Sequence, residues 1–447
     1  MTVLDLPVDR SATAEPRVRA RAPLGTCALI GLGGLFAGVT GPLLSTFIPP
    51  LVRDVLGDQR TAIGAVMAID NVLLLALVPW AGPASDRAAS RGRGRRGLVV
   101  AGMVLAAAGM ALLPASTGRG LAVLVAALVV LHTGVNVQRA PLQALLADVV
   151  PSRWRSLATG SVTFQMCAGA IAFLMLGRAL GMRAAFTVAA LTVLAIAIAL
   201  ALGLRERPAG PRAPAGGSSA SALRAPTAAD VTFASLAGAV WAGARGAVPG
   251  LRPVFVAALL LQLTFQTFTT WYALHATERC GVPASQVTVG FIAWAVGGVL
   301  GALPAGAVGV RVGRRAAMLG GLAVMAASLV ALDRVTTPGL AVPLLALASA
   351  AWTFPTVNAY PLFVEPVPSA RRGTLASVFL LCSALGGAVG DPLNGRLFDL
   401  LGGYRALFPL MAGYTALAFV AVWRIPRGVG EADTGADVAL DAVPGLP

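Results

Sequence analysis

Asp148-Val149-Val150-Pro151-Ser152-Arg153-Trp154-Arg155 and Glu365-Pro366-Val367-Pro368-Ser369-Ala370-Arg371-Arg372 decide the fold. Both stretches read acid-x-x-Pro-Ser-x-x-Arg. Both directly follow a long apolar segment, and they lie half a chain apart. The chain is a string of such segments, so the recurrence means that the string was built twice. Duplicated halves of membrane helices, with a site between them, are a signature of secondary transporters.

Composition agrees. The chain has 447 residues, of which 57% are hydrophobic and 12% charged. The charged share is about half the roughly 25% of a soluble domain. A fold this large cannot be given a charged exterior from so few ionisable groups, so its apolar residues must face lipid. The net charge is +15, and every one of the 34 basic residues is arginine. They sit in short loops and not on one face, which argues against nucleic-acid binding. Cys27, Cys167, Cys280 and Cys382 are scattered, which excludes a disulfide framework or a thiolate metal site. No cofactor or metal is expected. The first 26 residues contain no apolar core, so no cleaved signal peptide is expected and the first apolar segment acts as the insertion signal.

A span needs about 20 apolar residues to cross about 30 Å of hydrocarbon. Spans 1 to 6 are expected at 27–49, 61–82, 97–116, 121–147, 157–177 and 183–204. Spans 7 to 12 are expected at 253–275, 285–309, 316–333, 338–365, 373–398 and 403–424. Most arginines fall in the tails and the even-numbered loops. The positive-inside rule then puts both termini in the cytoplasm. The lysine-free, alanine-rich composition suggests a bacterial host and hence the inner (plasma) membrane. Residues 1–26 and 425–447 read as cytoplasmic tails, 27–204 and 253–424 as two bundles, and 205–252 as a linker. The linker's second half has capping-box spacing at Thr227 and Asp230. Its Phe233, Leu236, Val240 and Trp241 share a face, as in a helix lying on the membrane surface.

Two loops carry the next signal. After span 2 come Gly82, Ser85, Asp86, Arg87, Arg95 and Arg96; after span 8 come Gly306, Val310, Arg311, Gly313, Arg314 and Arg315. They resemble the signature loop of the major facilitator superfamily, G-x-x-x-D-R-x-G-R-R. The resemblance covers the whole membrane part and implies an all-α fold of twelve transmembrane helices in two pseudo-symmetric six-helix bundles. It implies a gating latch: Asp86 near a helix N-terminus, and Arg87, Arg95, Arg96, Arg311, Arg314 and Arg315 near carbonyl or carboxylate ends. Val310 stands where the second acid belongs, so the gate is expected to be asymmetric. Topology alone is the plainer reading of the same arginines. Asp148, Arg155, Glu365 and Arg372, from the repeated stretches, join the gating set.

Span 4 reads Asn136-x-Gln138-Arg139-x-Pro141-x-Gln143-Ala144-Leu145-x-Ala147-Asp148. It resembles the sucrose-transporter and glycoside–pentoside–hexuronide:cation symporter branch, whose span 4 runs N-x-x-Q-G-P-x-R-A-L-x-A-D. Asp70-Asn71 in span 2 and Asn358-Ala359-Tyr360-Pro361 in span 10 resemble that branch too. Here Arg139 and Gln143 stand exchanged relative to the branch, four apart on one helix face.

An ionisable group in mid-bilayer is expensive and survives by pairing or by lining water. Helix rise puts Asp70 about 18 Å and Arg139 about 13 Å from the cytoplasmic ends of their spans. They are expected to pair across a cavity, with Asp70, Asn71 and Arg139 handling the coupling ion, either proton or sodium. A structural ion pair is the plainer reading. Hydroxyl partners for a sugar would be Asn136, Gln143, Gln165, Gln262, Gln266 and Asn358, with Asp391 (beside Asn394) in the outer cavity. Aromatic platforms would be Trp294, Trp352 and Tyr360. Trp271, Tyr272 and Trp423, near span ends, read as interfacial belt. His132 reads as packed in an apolar run, and His275 as a water-facing relay candidate.

The function expected is proton-coupled symport of a mono- or disaccharide by alternating access, by a monomer in the lipid bilayer. Drug efflux by proton antiport is the alternative, but span 5 has Gly169 and no proline, unlike the Gly-Pro motif of drug pumps. A non-transporting receptor or scaffold would have no use for buried ionisable groups. An enzyme is not expected, since there is no P-loop, HExxH or nucleotide fingerprint.

Overall fold

The computed structural model describes residues 24–150, 155–204, 252–335, 337–364 and 372–425. Residues 1–23, 205–251 (with the helix expected in the linker) and 426–447 lie outside the described residues, as do 151–154 and 365–371 of the repeated stretches, Glu365 included. The side chains of Arg155, Tyr360 and Arg372 are also outside them.

The chain is an all-α membrane protein of twelve transmembrane helices in two six-helix bundles, with no strand among the described residues. Span 1 is Leu24–Leu56. Span 2 is two helices, Arg60–Met67 and Ile69–Ser90, joined through Ala68. Spans 3 and 4 are Arg96–Ser116 and Leu121–Val149. Spans 5 and 6 form Arg155–Gly203, divided at Gly181. Spans 7 to 11 are Arg252–Glu278, Ala284–Val312, Arg314–Arg334, Pro338–Val364 and Arg372–Leu401. Span 12 is Leu407–Trp423, entered through a 3₁₀ turn at Tyr404–Ala406.

Helices overrun the apolar stretches where no breaker stops them. Span 1 passes through Pro49 and Pro50. Each proline, Pro42 included, removes one backbone bond and frees the carbonyl four residues earlier (Gly38, Ser45 and Thr46), a loss that membrane helices absorb through neighbouring groups. Span 2 continues to Ser90, so Gly82–Arg87 is helix and not loop. The chain breaks only at Gly92 and Gly94, with φ of 73° and 70°. At Gly181, φ 76° and ψ 176° turn the chain where an L side chain would be strained.

Packing separates core from lipid face. Phe36, Met103, Phe186, Phe268 and Trp271 are fully buried, while Phe164 (73% exposed) and Leu202 (80%) stand outward among other large apolar side chains. In water such a surface would aggregate; against acyl chains it is the expected exterior. Across the halves, small residues allow close approach. Gly64 of span 2 rests on the Asp391 carbonyl of span 11, and Gly387 of span 11 rests on Asn71.

Candidate functional site

A cavity of about 550 Å³ lies where the two bundles meet. Spans 1, 2, 4 and 5 of the N-terminal half line one wall, spans 7, 8 and 11 the other. Asp70, Asn71, Arg139, Gln262, Gln266, Trp294 and Asp391 are brought together there. Ser45, Phe265, Thr269 and Thr270 also line it and escaped the sequence reading. His132 lines it too and is not packed in an apolar run as expected.

The expected ion pair between Asp70 and Arg139 is not formed. Asp70 Oδ1 stands 2.9 Å from His132 Nδ1, and the Asn136 side-chain amide donates to it at 2.9 Å. Arg139 faces the same cavity and acts on Asp70 through space. Helical spacing explains the difference. His132 and Asn136 are four apart, one turn on the face that meets span 2, while Arg139 is almost another turn along. An apolar neighbourhood in sequence concealed His132, although span 4 packs against span 2 as well as span 3.

Asn136 is fully buried and also donates to the His132 carbonyl at 3.0 Å, so it holds Asp70 and does not line the cavity. Asn358, 4% exposed, donates to the carbonyls of Ala305 (3.1 Å) and Phe354 (2.9 Å), a packing role. Gln165 donates to the Ala28 carbonyl at 3.0 Å, binding span 5 to span 1. Gln143 is exposed and does not line the cavity. Trp352 stands one layer back, stacked on Phe265 with centroids 5.0 Å apart. Phe268 and Trp294 stack at 4.0 Å, giving the C-terminal wall a flat aromatic face. Asn394 is fully buried between Thr267 (2.8 Å) and Tyr414 (2.8 Å) and stays out of the cavity.

Two further readings are corrected. Trp271 is fully buried, edge-on to Phe398, and Tyr272 is 9% exposed, so neither belongs to an interfacial belt; Trp423, 63% exposed, does stand at the surface. Long aromatic clusters inside a bundle and belts at its rim share the same residue types, and only the third dimension separates them. His275 is 5% exposed and bonds the Tyr404 carbonyl at 2.7 Å, so it faces no water.

The termini-side end carries the signature-loop groups. Arg95 bridges Asp86 and Asp148, the latter at 2.7 Å, and donates to Ser85 at 3.0 Å. Burial opposes its charge, but the two carboxylates outweigh this and raise its pKa above the ordinary arginine value. Arg96 donates to the Leu204 carbonyl (2.7 Å) and Arg315 to the Trp423 carbonyl (2.6 Å), each capping the last span of its half. Arg87 and Arg311 are exposed; Arg314 sits half-buried at the start of span 9.

The opposite end holds a clamp between the halves that the sequence did not reveal. Arg60 pairs with Asp58 and with Asp399 (3.1 Å), and its guanidinium lies 4.8 Å over the Tyr404 ring. Thr61 donates to Asp399 at 3.1 Å, and the Tyr404 hydroxyl to Asp58 at 3.2 Å. Arg53 pairs with Glu278 nearby. These residues belong to separate loops and span ends, so no local spacing links them.

Comparison with known proteins gives a family model described as the Major Facilitator Superfamily, matched over residues 30–298 and 254–440. Among solved structures, a bacterial homolog to the human lysosomal transporter Spinster, inward-facing and unoccupied, superposes with a TM-score of 0.69 at 16% identity, covering 91% of this chain and 98% of that one. The nucleoside transporter NupG gives 0.71 at 14% identity over 90% and 99%. A D-xylose-proton symporter gives 0.65 at 15% over 93% and 100%. No curated protein sequence matches.

Proposed function

The chain belongs to the major facilitator superfamily of secondary transporters, and on that premise we propose that it couples proton movement to uptake of a sugar or similar polyhydroxyl solute. One observation carries the reading: an Asp70–His132 pair opens onto a cavity whose other wall offers Gln262, Gln266, Thr269, Thr270 and the Trp294 face. Amide and hydroxyl groups bond sugar hydroxyls, and an aromatic face receives the C–H side of a pyranose.

The coupling follows from charge. With both ring nitrogens of His132 protonated and Asp70 ionised, the two form an ion pair held by Asn136. A proton on Asp70 removes the attraction and releases the carboxyl from both His132 and Arg139. Loading the proton thus changes which groups the solute meets, and rocking of the halves exposes them to the other side. Sodium would need several oxygens around Asp70, and the nearest neighbours here are nitrogens of His132 and Asn136. The positive-inside pattern supports a multi-pass protein of the bacterial inner membrane with cytoplasmic termini. A monomer suffices, since the cavity is complete within one chain.

The aromatic wall of Phe265, Phe268, Phe291 and Trp294 favours a second reading, efflux of amphipathic solutes by proton antiport. Proteoliposomes separate the two. An inward proton gradient should drive saturable uptake of a labelled mono- or disaccharide, and Asp70→Asn should abolish the gradient's effect while solute exchange persists. Full pH-driven uptake by Asp70→Asn would remove Asp70 from coupling. Extrusion of amphipathic drugs with no sugar uptake would favour the second reading.

A further inference from the structure

Asp391 is a carboxylate in the middle of span 11, 1% exposed and part of the cavity wall. Neither of its oxygens has a hydrogen-bond partner. Gln266 and Thr270 share its stretch of wall and stand close enough to act on it, but neither reaches good hydrogen-bond geometry. An unpartnered buried carboxylate costs several kcal/mol, so something that comes and goes must match it.

Among the described residues that line the cavity, no cation is matched to Asp391. Asp70 has His132 at 2.9 Å and the through-space charge of Arg139. Asp391 instead feels Asp70, a like charge. Among the described lining residues, the C-terminal half supplies no basic side chain. It supplies Phe265, Phe268, Phe291 and Trp294, whose ring faces attract cations. A carboxylate beside aromatic faces is the chemistry of an organic-cation site. A proton alone would neutralise Asp391 but would give the rings no part.

We infer that Asp391 is the counter-ion for a cationic group of the solute. Resting on the sugar reading above, the solute class is an amino sugar: its ammonium docks at Asp391 against the aromatic wall, and its hydroxyls meet Gln262, Gln266, Thr269 and Asn71.

Calorimetry on the full-length protein in nanodiscs at pH 6 tests this with matched pairs: glucosamine and glucose, galactosamine and galactose, mannosamine and mannose. Tetraphenylphosphonium is the non-sugar cation. At least one amino member should bind about tenfold tighter than its partner, the scale of a hydrogen bond to a charged group. Asp391→Asn should erase the preference and Asp391→Glu should keep it. Measurable and equal binding within every pair overturns the inference and leaves the sugar reading standing. A preference that survives Asp391→Asn also overturns it, as does absence of binding by any probe. Tetraphenylphosphonium binding that is lost in Asp391→Asn, with no sugar bound, keeps the cation site and overturns the sugar reading.

Discussion

Removing Arg60 should unlock the end of the protein away from its termini. Arg60 joins the halves through Asp399 and the Tyr404 ring and also neutralises Asp58; its side chain is 18% exposed. An exposed ion pair is worth about 0.2–1 kcal/mol. Only the Asp399 pair and the Tyr404 contact cross the halves, and with about 0.5–1 kcal/mol from the cation–π contact they give roughly 0.7–2 kcal/mol. Arg60→Ala should therefore shift the ratio of closed to open far ends by roughly three- to thirtyfold. Spin labels at Thr117→Cys and Leu340→Cys, exposed on opposite halves at that end, report the separation once the four native cysteines are replaced. The parent protein should give one short distance. Arg60→Ala should populate a longer one, and exchanging the charges (Arg60→Asp with Asp399→Arg) should shorten it again. An unchanged distance distribution in Arg60→Ala would refute the clamp.

At the other end, Arg95→Ala leaves Asp86 and Asp148 facing each other and Ser85 unbonded. It should lower the Tm by a few degrees in a nanodisc melt, roughly 1–2 kcal/mol of lost contacts. Its effect should shrink in high salt, since both carboxylates are half exposed. Trp294→Ala removes the flat face of the C-terminal wall and should raise the KM of solute uptake about tenfold with little change in kcat. His132→Ala should uncouple uptake from the proton gradient as Asp70→Asn does, and the double variant should be no worse than either alone, because the two act as a unit.

The fold was legible because membrane helices announce themselves through length and hydropathy, and the two acid-x-x-Pro-Ser-x-x-Arg stretches announced the duplication. Helix ends were less so, because hydropathy marks the hydrocarbon edge while the backbone stops at positive-φ glycines such as Gly92, Gly94 or Gly181. Of the site, Asp70, Asn71, Arg139, Gln262, Gln266, Trp294 and Asp391 were legible as polar or aromatic groups too deep to be idle. Their partners were not. Pairing is set by rotation about the helix axis, and a neighbour one turn away, such as His132, displaces one nearly two turns away, such as Arg139. Asn358 and Gln165 satisfy the same expectation of deep polarity but spend their bonds on backbone carbonyls of adjacent spans.

The two halves share scaffolding more than chemistry. Arg96 reaches the Leu204 carbonyl and Arg315 the Trp423 carbonyl across the same sequence separation of 108 residues. Each bond ties the start of a third span to the end of a sixth. Around these matched ties the charges diverge: Asp86 pairs with Arg95 in the first half, where the second has Val310. The cavity follows the same division, with Asp70, His132 and Arg139 on one wall and aromatic and amide groups around Asp391 on the other. A two-sided device needs this split. If both walls carried ionisable pairs, rocking would move protons without regard to the solute. On the proposed coupling, with proton groups on one wall and solute groups on the other, only a cavity filled by both would close without leaving buried charge unmatched. Coupling then rests on the contact between the halves, where Gly64 and Gly387 bring spans 2 and 11 together beside Asp70, Asn71 and Asp391.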